Sequence, residues 1–126
     1  MSGRQKRTQH TGQEGWAAQR EFSRGALELA VLALIQGRPR YGYDLLTSLG
    51  EATDGFLAVK EGTVYPVLHR LEDAGYLSAS WEAEGRGVPR KYYAITPAGS
   101  RRLAVLRSEW DRLVAGLGRL LEGGGT

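Results

Sequence analysis

Glu61-Gly62-Thr63-Val64-Tyr65-Pro66-Val67-Leu68-His69-Arg70-Leu71-Glu72-Asp73-Ala74-Gly75 is the stretch on which the fold turns. Val64, Val67, Leu68 and Leu71 recur at the i, i+3, i+4, i+7 spacing of a packed helix face, which predicts a short amphipathic helix. Thr63, Tyr65, Pro66, His69 and Arg70 are left largely on the opposite side, near its start. Pro66 fits if Glu61, Gly62 or Thr63 is the N-cap, because it then lies at or near the first turn, where few amides have partners. Gly75 ends the helix as its C′ residue.

Toward the C-terminus, Leu77, Ala79, Trp81 and Ala83 alternate with Ser78, Ser80, Glu82 and Glu84, a strand period of two. Tyr92, Tyr93, Ala94 and Ile95 supply the partner strand, across a basic turn from Gly85 to Lys91. Thr96-Pro97 is a cap followed by proline at N1, opening a last helix that runs to about Glu122. Toward the N-terminus, Trp16, Phe22, Leu27, Val31, Leu34 and Ile35 suit a helix ending near Gln36, with Gly37 as its stop. Arg38-Pro39-Arg40 reads as a basic turn, and Tyr41 to Ala52 as a second helix with Leu45, Leu46 and Leu49 inward. Asp54-Gly55 marks a turn, and Phe56, Leu57 and Val59 form an apolar link into the third helix.

The order helix, helix, helix, hairpin, helix predicts a mainly α chain with a small β-hairpin (α+β). This is a winged helix-turn-helix with a long C-terminal dimerisation helix. The expected division is a flexible polar arm over 1–15, a DNA-binding domain including the N-terminal helix over 16–96, the dimerisation helix over 97–122 and a flexible tail over 123–126.

A chain of 126 residues has room for one domain with short extensions, and 41% hydrophobic with 25% charged residues favours a folded core over disorder. The net charge of +3 is compatible with a polyanionic partner without establishing one. The absence of cysteine excludes disulfides, thiolate zinc sites and cysteine nucleophiles, and leaves the redox compartment undecided. No apolar run approaches the roughly 18 residues of a membrane span, and no apolar signal segment follows Arg4, Lys6 and Arg7; a cytoplasmic location is the expectation.

A helix in the major groove brings its N-terminal residues closest to the base edges, here Gly62, Thr63, Tyr65 and Pro66, with His69 and Arg70 a turn further on. Lys60 is a candidate phosphate contact, as are Arg38, Arg40 and Tyr41 ahead of the second helix, whose N-terminal amides can also hold a phosphate. Arg86, Arg90 and Lys91 would put the hairpin beside or into the minor groove. Glu61 to Tyr76 nevertheless carries a net charge of −2, so attraction to DNA must come from the flanks. The hairpin turn and the segment from Met1 to Arg24 each carry +3. Taken alone, the basic turn reads as merely solvated; with the helix ahead of it, DNA binding leads.

Leu103, Leu106, Trp110, Leu113, Leu117 and Leu120 are spaced 3, 4, 3, 4, 3, an uninterrupted heptad seam. Part of it can pack on the chain's own first helix, and the remainder calls for a second copy. The alternative is a monomer whose first and last helices satisfy each other.

An enzyme is the first rival class. His10 and His69 are the only histidines, no motif pairs either with a carboxylate, and there is neither a phosphate-binding glycine loop nor a metal-ligand cluster; no cofactor is expected. A winged-helix protein–protein interaction module, or a ligand sensor with little DNA affinity, is the second.

Gly62-Thr63-Val64-Tyr65-Pro66-Val67-Leu68-His69-Arg70-Leu71-Glu72, then Gly75-Tyr76-Leu77, then Arg90-Lys91-Tyr92-Tyr93-Ala94-Ile95-Thr96-Pro97-Ala98-Gly99, strongly resemble the PadR family of bacterial transcriptional regulators. Tyr41-Gly42-Tyr43-Asp44-Leu45 and Arg24-Gly25-Ala26-Leu27-Glu28 also match, so the likeness covers about residues 24 to 122. The resemblance implies a homodimer, usually a repressor, that binds a roughly palindromic operator and pairs through its last helix. Trp16 and Phe22, before the resemblance begins, either pack on the partner's last helix or lengthen the first helix. Some small members bind flat aromatic compounds between subunits against a tryptophan, and Trp110 falls at that place. Two readings of Trp110 stand: ordinary core of the heptad seam, or contact for a small-molecule effector, either aromatic against Trp110 or anionic against Arg101, Arg102, Arg107 and Arg112, with Trp110 and Arg107 the ligand contacts in that case.

Overall fold

Leu27, Val31, Leu32 and Ile35 on the first helix, Leu45 and Leu49 on the second, and Val64, Val67, Leu68 and Leu71 on the third bury their side chains in one core. Leu57 from the intervening loop, Leu77 and Tyr93 from the sheet and Leu103 from the last helix complete it. The computed structural model describes residues 25–83, 85 and 87–123. Helix α1 occupies 25–37, strand β1 Arg40–Tyr41, helix α2 Gly42–Ala52 and helix α3 Glu61–Asp73. Strands β2, Leu77–Glu82, and β3, Arg90–Ile95, then lead into helix α4, Pro97–Leu121. Trp16, Phe22 and Arg86 lie outside the described residues.

The fold class expected from the sequence is the one observed, with one strand more. Arg40 and Tyr41 pair antiparallel with Tyr93 and Tyr92, so the sheet is three-stranded, in the order β1-β3-β2, where the sequence predicted only a hairpin. Two residues cannot display a period, which is why the Arg38-Pro39-Arg40 stretch reads as a plain turn. In the wing, Leu77 faces Ile95, Ala79 faces Tyr93 and Trp81 faces Lys91.

Pro66 is the second departure. Helix α3 begins at Glu61 with Lys60 as N-cap, so the proline is the sixth residue and lies beyond the first turn. Proline in a helix interior costs about 3 kcal/mol, from a lost amide and a clash with the carbonyl four residues back. Here that carbonyl belongs to Gly62, and both residues lie on the exposed face, where water can serve it.

The end of α3 and the start of α4 form a single joint. Gly75, at φ 83°, turns the chain, with its amide bonded to the Glu72 carbonyl at 2.9 Å and the Tyr76 amide to the Leu71 carbonyl at 2.9 Å. Thr96 caps α4 by accepting from the Gly99 amide at 3.0 Å, and its hydroxyl donates to the Gly75 carbonyl at 2.6 Å. The Thr96 amide reaches the Tyr76 carbonyl at 3.1 Å. Gly99 lies so close to that carbonyl that a Cβ would collide with it and with the Ile95 side chain. Thr96→Val removes both hydroxyl bonds and is expected to lower unfolding free energy by about 1–2 kcal/mol, read by chemical denaturation. Gly99→Ala, which forces backbone apart, should cost more than Thr96→Val; an equal or smaller loss would mean the joint is loose.

Candidate nucleic-acid interface

The residues of α3 that the core does not take form one stripe. Gly62, Tyr65, Pro66, His69 and Arg70 are exposed, Thr63 is half-buried, and Lys60 is exposed at the helix entrance. Tyr65 lies across the start of α2: its ring and hydroxyl pack so closely on Gly42 that a Cβ there would overlap them. Glycine at position 42 thereby sets the approach of the two helices at their outward ends.

The cations predicted from the sequence fall into two groups. Arg40 is turned inward, its Nε donating to the Leu34 carbonyl at 2.9 Å and its Nη1 to Ser48 Oγ at 2.9 Å, with Asp44 Oδ1 3.4 Å away. It ties α1 to α2 and has little surface to offer a phosphate. Arg38 remains well exposed, although its Nη1 lies 3.1 Å from Asp44 Oδ2. Asp44 in the first turn of α2 already meets the partial positive charge of that helix end, so a phosphate there would face a carboxylate. Tyr41 is half-buried and engaged edge-to-face with Tyr92 at 5.4 Å between centroids.

On the wing, Arg90 is exposed with its guanidinium 4.7 Å from the centroid of the Tyr41 ring. A guanidinium stacked on a ring keeps its edge donors available, an arrangement suited to phosphate. Lys91 projects from the opposite face of β3, where Nζ lies 3.4 Å from Glu72 Oε1 and 5.3 Å from the Tyr93 ring centroid. Burial works against the Lys91 charge, but Tyr93 and Glu72 outweigh it and hold the ammonium above its usual range. Burial likewise pushes the Tyr93 phenol up, against the opposing pull of Lys91. Lys91 thus holds the wing against α3 as well as offering charge.

Tyr41, Gly42, Tyr43, Tyr65, His69, Trp81, Pro89, Arg90, Lys91 and Tyr93 line one open groove of about 640 Å³ between the start of α2, the outward stripe of α3 and the wing. The sequence reading had missed Tyr43 and Trp81. Trp81 shares the strand parity of buried Leu77, which marked it as facing α3, but nothing in the period shows that the core ends at Ala79.

The seam on α4 divides as well. Leu103 is buried and Leu106 and Trp110 are half-buried, whereas Leu113, Leu117 and Leu120 are 50%, 44% and 65% exposed. Arg107 is exposed, and Arg102 is engaged, 3.4 Å from Glu28 on α1 and stacked near Tyr76. Among the described residues no group of three or more histidines or carboxylates is arranged to hold a metal, and no helix is long and apolar enough to cross a membrane.

Three helices with α3 presented outward, a β-wing beside it and an appended long helix define a winged helix-turn-helix protein of the DNA-binding class. The model of the PadR-like family of transcriptional regulators matches residues 31–105, and the chain belongs to that family. The transcriptional regulator Rv3488 of Mycobacterium tuberculosis is 37% identical over 95 residues, covering 75% of this chain and 84% of its own. The negative transcriptional regulator PadR of Bacillus subtilis is 29% identical over 77 residues, 61% of this chain but only 42% of that longer protein. The crystal structure of a PadR family transcriptional regulator from Eggerthella lenta superposes with a TM-score of 0.76 at 34% identity, covering 90% of this chain and 97% of that one. The named relatives are transcriptional regulators, in keeping with a protein that is not an enzyme.

The inward position of Arg40 separates it from Arg38 in a measurable way. Arg40→Ala should lower stability by about 1–3 kcal/mol, because the Leu34 carbonyl and Asp44 lose their donor. Arg38→Ala should stay within about 0.5 kcal/mol of the parent. Thermal unfolding of the two variants decides, and equal melting temperatures would remove the structural role of Arg40.

Proposed function

We propose that this protein is a homodimeric, sequence-specific DNA-binding repressor that inserts α3 of each protomer into the major groove of a roughly palindromic operator. The observation that carries the reading is the outward stripe of Gly62, Tyr65, Pro66 and His69, free of the core and flanked by Lys60 and by Arg90 on the wing. Two of the three acidic residues of α3 do not oppose it, while Glu61, in the first turn, directly follows Lys60. Glu72 is paired with Lys91, and Asp73 lies at the far end of the helix. Arg90 and Lys60 supply the phosphate contacts; Tyr65, Thr63 and His69 are the candidates for base edges. Repression is favoured by the likeness to the negative regulator of Bacillus subtilis.

Pairing through α4 follows from its exposed half. Leu113, Leu117 and Leu120 continue the seam that Leu103 begins in the core, and an apolar stripe of this length is rarely left to water. The second copy that covers it would also fix the distance between the two α3 helices, which the operator's half-sites must match. A small-molecule effector, aromatic or anionic, bound near Trp110 and Arg107 would act by favouring a dimer with the wrong spacing.

Binding of the protein to labelled DNA from upstream of its own gene, against unrelated DNA of equal length and across a salt series, tests the reading. Selective binding that weakens steeply with salt is expected; no binding to either DNA at low salt sinks it. Arg90→Ala should weaken binding to every sequence and reduce the salt slope by about one; an unchanged slope takes Arg90 off the phosphate list. Leu113→Glu should convert a dimer to monomer in sedimentation equilibrium, and a dimer that persists refutes the α4 interface.

A further inference from the structure

Trp81 is 70% exposed and Tyr43 66% exposed, and both line the groove between α3 and the wing, to which Tyr65 adds a smaller exposed surface. A single exposed ring needs no explanation, but three gathered on one concavity do. The orientation of Trp81 follows from the strand. Leu77, Ala79 and Trp81 share the β2 face that packs toward α3, and Lys91, directly across from Trp81, reaches Glu72 on that helix. The indole therefore looks into the space beside α3 and past the end of the core.

We infer that Trp81 and Tyr43 form an apolar DNA contact that packs on the deoxyribose of the strand passing between the major groove occupied by α3 and the wing. The inference rests on the DNA-binding reading and extends it to residues without charge. Along one strand a phosphate recurs about every 3.4 Å of helix rise, so any apolar group entering there has an anion beside it. The groove meets that pattern: Lys91 lies across the ladder from Trp81, and Arg90 lines the same groove. Between phosphates, the strand presents sugar C–H surface, for which a flat ring is the matching partner and a charged side chain is not. The indole's single donor cannot serve a phosphate as Arg90 does, and its place on the wing keeps it off the base edges that α3 faces.

Such a contact leaves a signature that a cation does not. Removing it releases no counterions, so the logarithm of affinity against the logarithm of salt keeps its slope while the whole line drops. Because every nucleotide carries the same sugar, operator and unrelated DNA lose affinity alike. Trp81→Ala in the full chain is expected to bind both DNAs about tenfold more weakly at an unchanged slope, with Tyr43→Ala showing a smaller loss of the same kind. Hydroxyl-radical footprinting of the wild-type protein reads the same contact without a substitution, and oxidation of Trp81 and Tyr43 should slow several-fold when DNA is bound. A wild-type protein that binds no DNA at low salt refutes the regulator reading itself. Salt-sensitive binding by the wild type, with Trp81 oxidised as fast as in the free protein or with Trp81→Ala at full affinity, overturns the sugar contact alone. A loss confined to the operator also overturns it, by moving the ring to a base.

Discussion

Where α3 ends and α4 begins, the Gly75 carbonyl, the Tyr76 carbonyl and the backbone of Gly99 share one small space, joined by the hydroxyl and the amide of a single threonine. The close approach is available only because residue 99 has no Cβ, and the Thr96 hydroxyl serves as acceptor for α4 and donor to the turn after α3. The outward helix and the long terminal helix are therefore not separate modules joined by a tether. Arg102, paired with Glu28 and stacked near Tyr76, adds a second tie a turn further along α4. Whatever sets the direction of α4 is thereby coupled to that of α3 through the bonds of Thr96.

The same economy governs the charges. A basic sequence suggests a basic surface, but Arg40 and Arg102 are engaged within the fold, and Lys91 is shared between the fold and the groove. Asp44 occupies the start of α2 and holds Arg38 and Arg40 together, so the predicted phosphate site at that helix end is already answered by a carboxylate of the chain. Exposed cations stand at the wing, Arg90, and at the entrance to α3, Lys60, beside a helix segment of net charge −2, while Arg101, Arg107, Arg112 and Arg119 are exposed along α4.

How far the sequence reveals this depends on the length over which a signal can repeat. The α3 face, with Val64, Val67, Leu68 and Leu71 buried, and the Thr96-Pro97 start of α4 were legible because each is a spacing or a cap with one local meaning. Strand β1 was not, since two residues have no period, and its partner is some fifty positions away. The inward turn of Arg40 was equally hidden: its partners are a carbonyl on α1 and two side chains on α2, and only the fold gathers them. The place of Pro66 within the helix is not legible because Lys60, which no cap pattern marks, enters the helix without a side-chain cap. The groove aromatics lay in plain view yet looked like ordinary strand and helix residues, because a period shows which face a residue takes but not where the core stops.

In the proposed complex a reading helix of net charge −2 would make affinity a property of its neighbours. The wing must be held at a fixed place beside α3 for its cations to count, and three features hold it there. Strand β1 pairs with β3 on one side, Tyr93 is buried in the core beneath the sheet, and Lys91 reaches across to Glu72. The acidic residue that seems to oppose DNA binding when charges are summed along the helix thus anchors a basic strand next to it. Charge totals mislead in such a case because Coulomb energy depends on separation: at 3.4 Å Glu72 acts mainly on Lys91, which leaves Glu61 as the acidic residue at the start of the outward stripe, directly after Lys60. On the proposed reading, specificity and attraction would be divided between elements, the start of α3 offering hydrogen-bonding and apolar groups and the flanks, with Arg70, offering charge, so that each could vary without undoing the other.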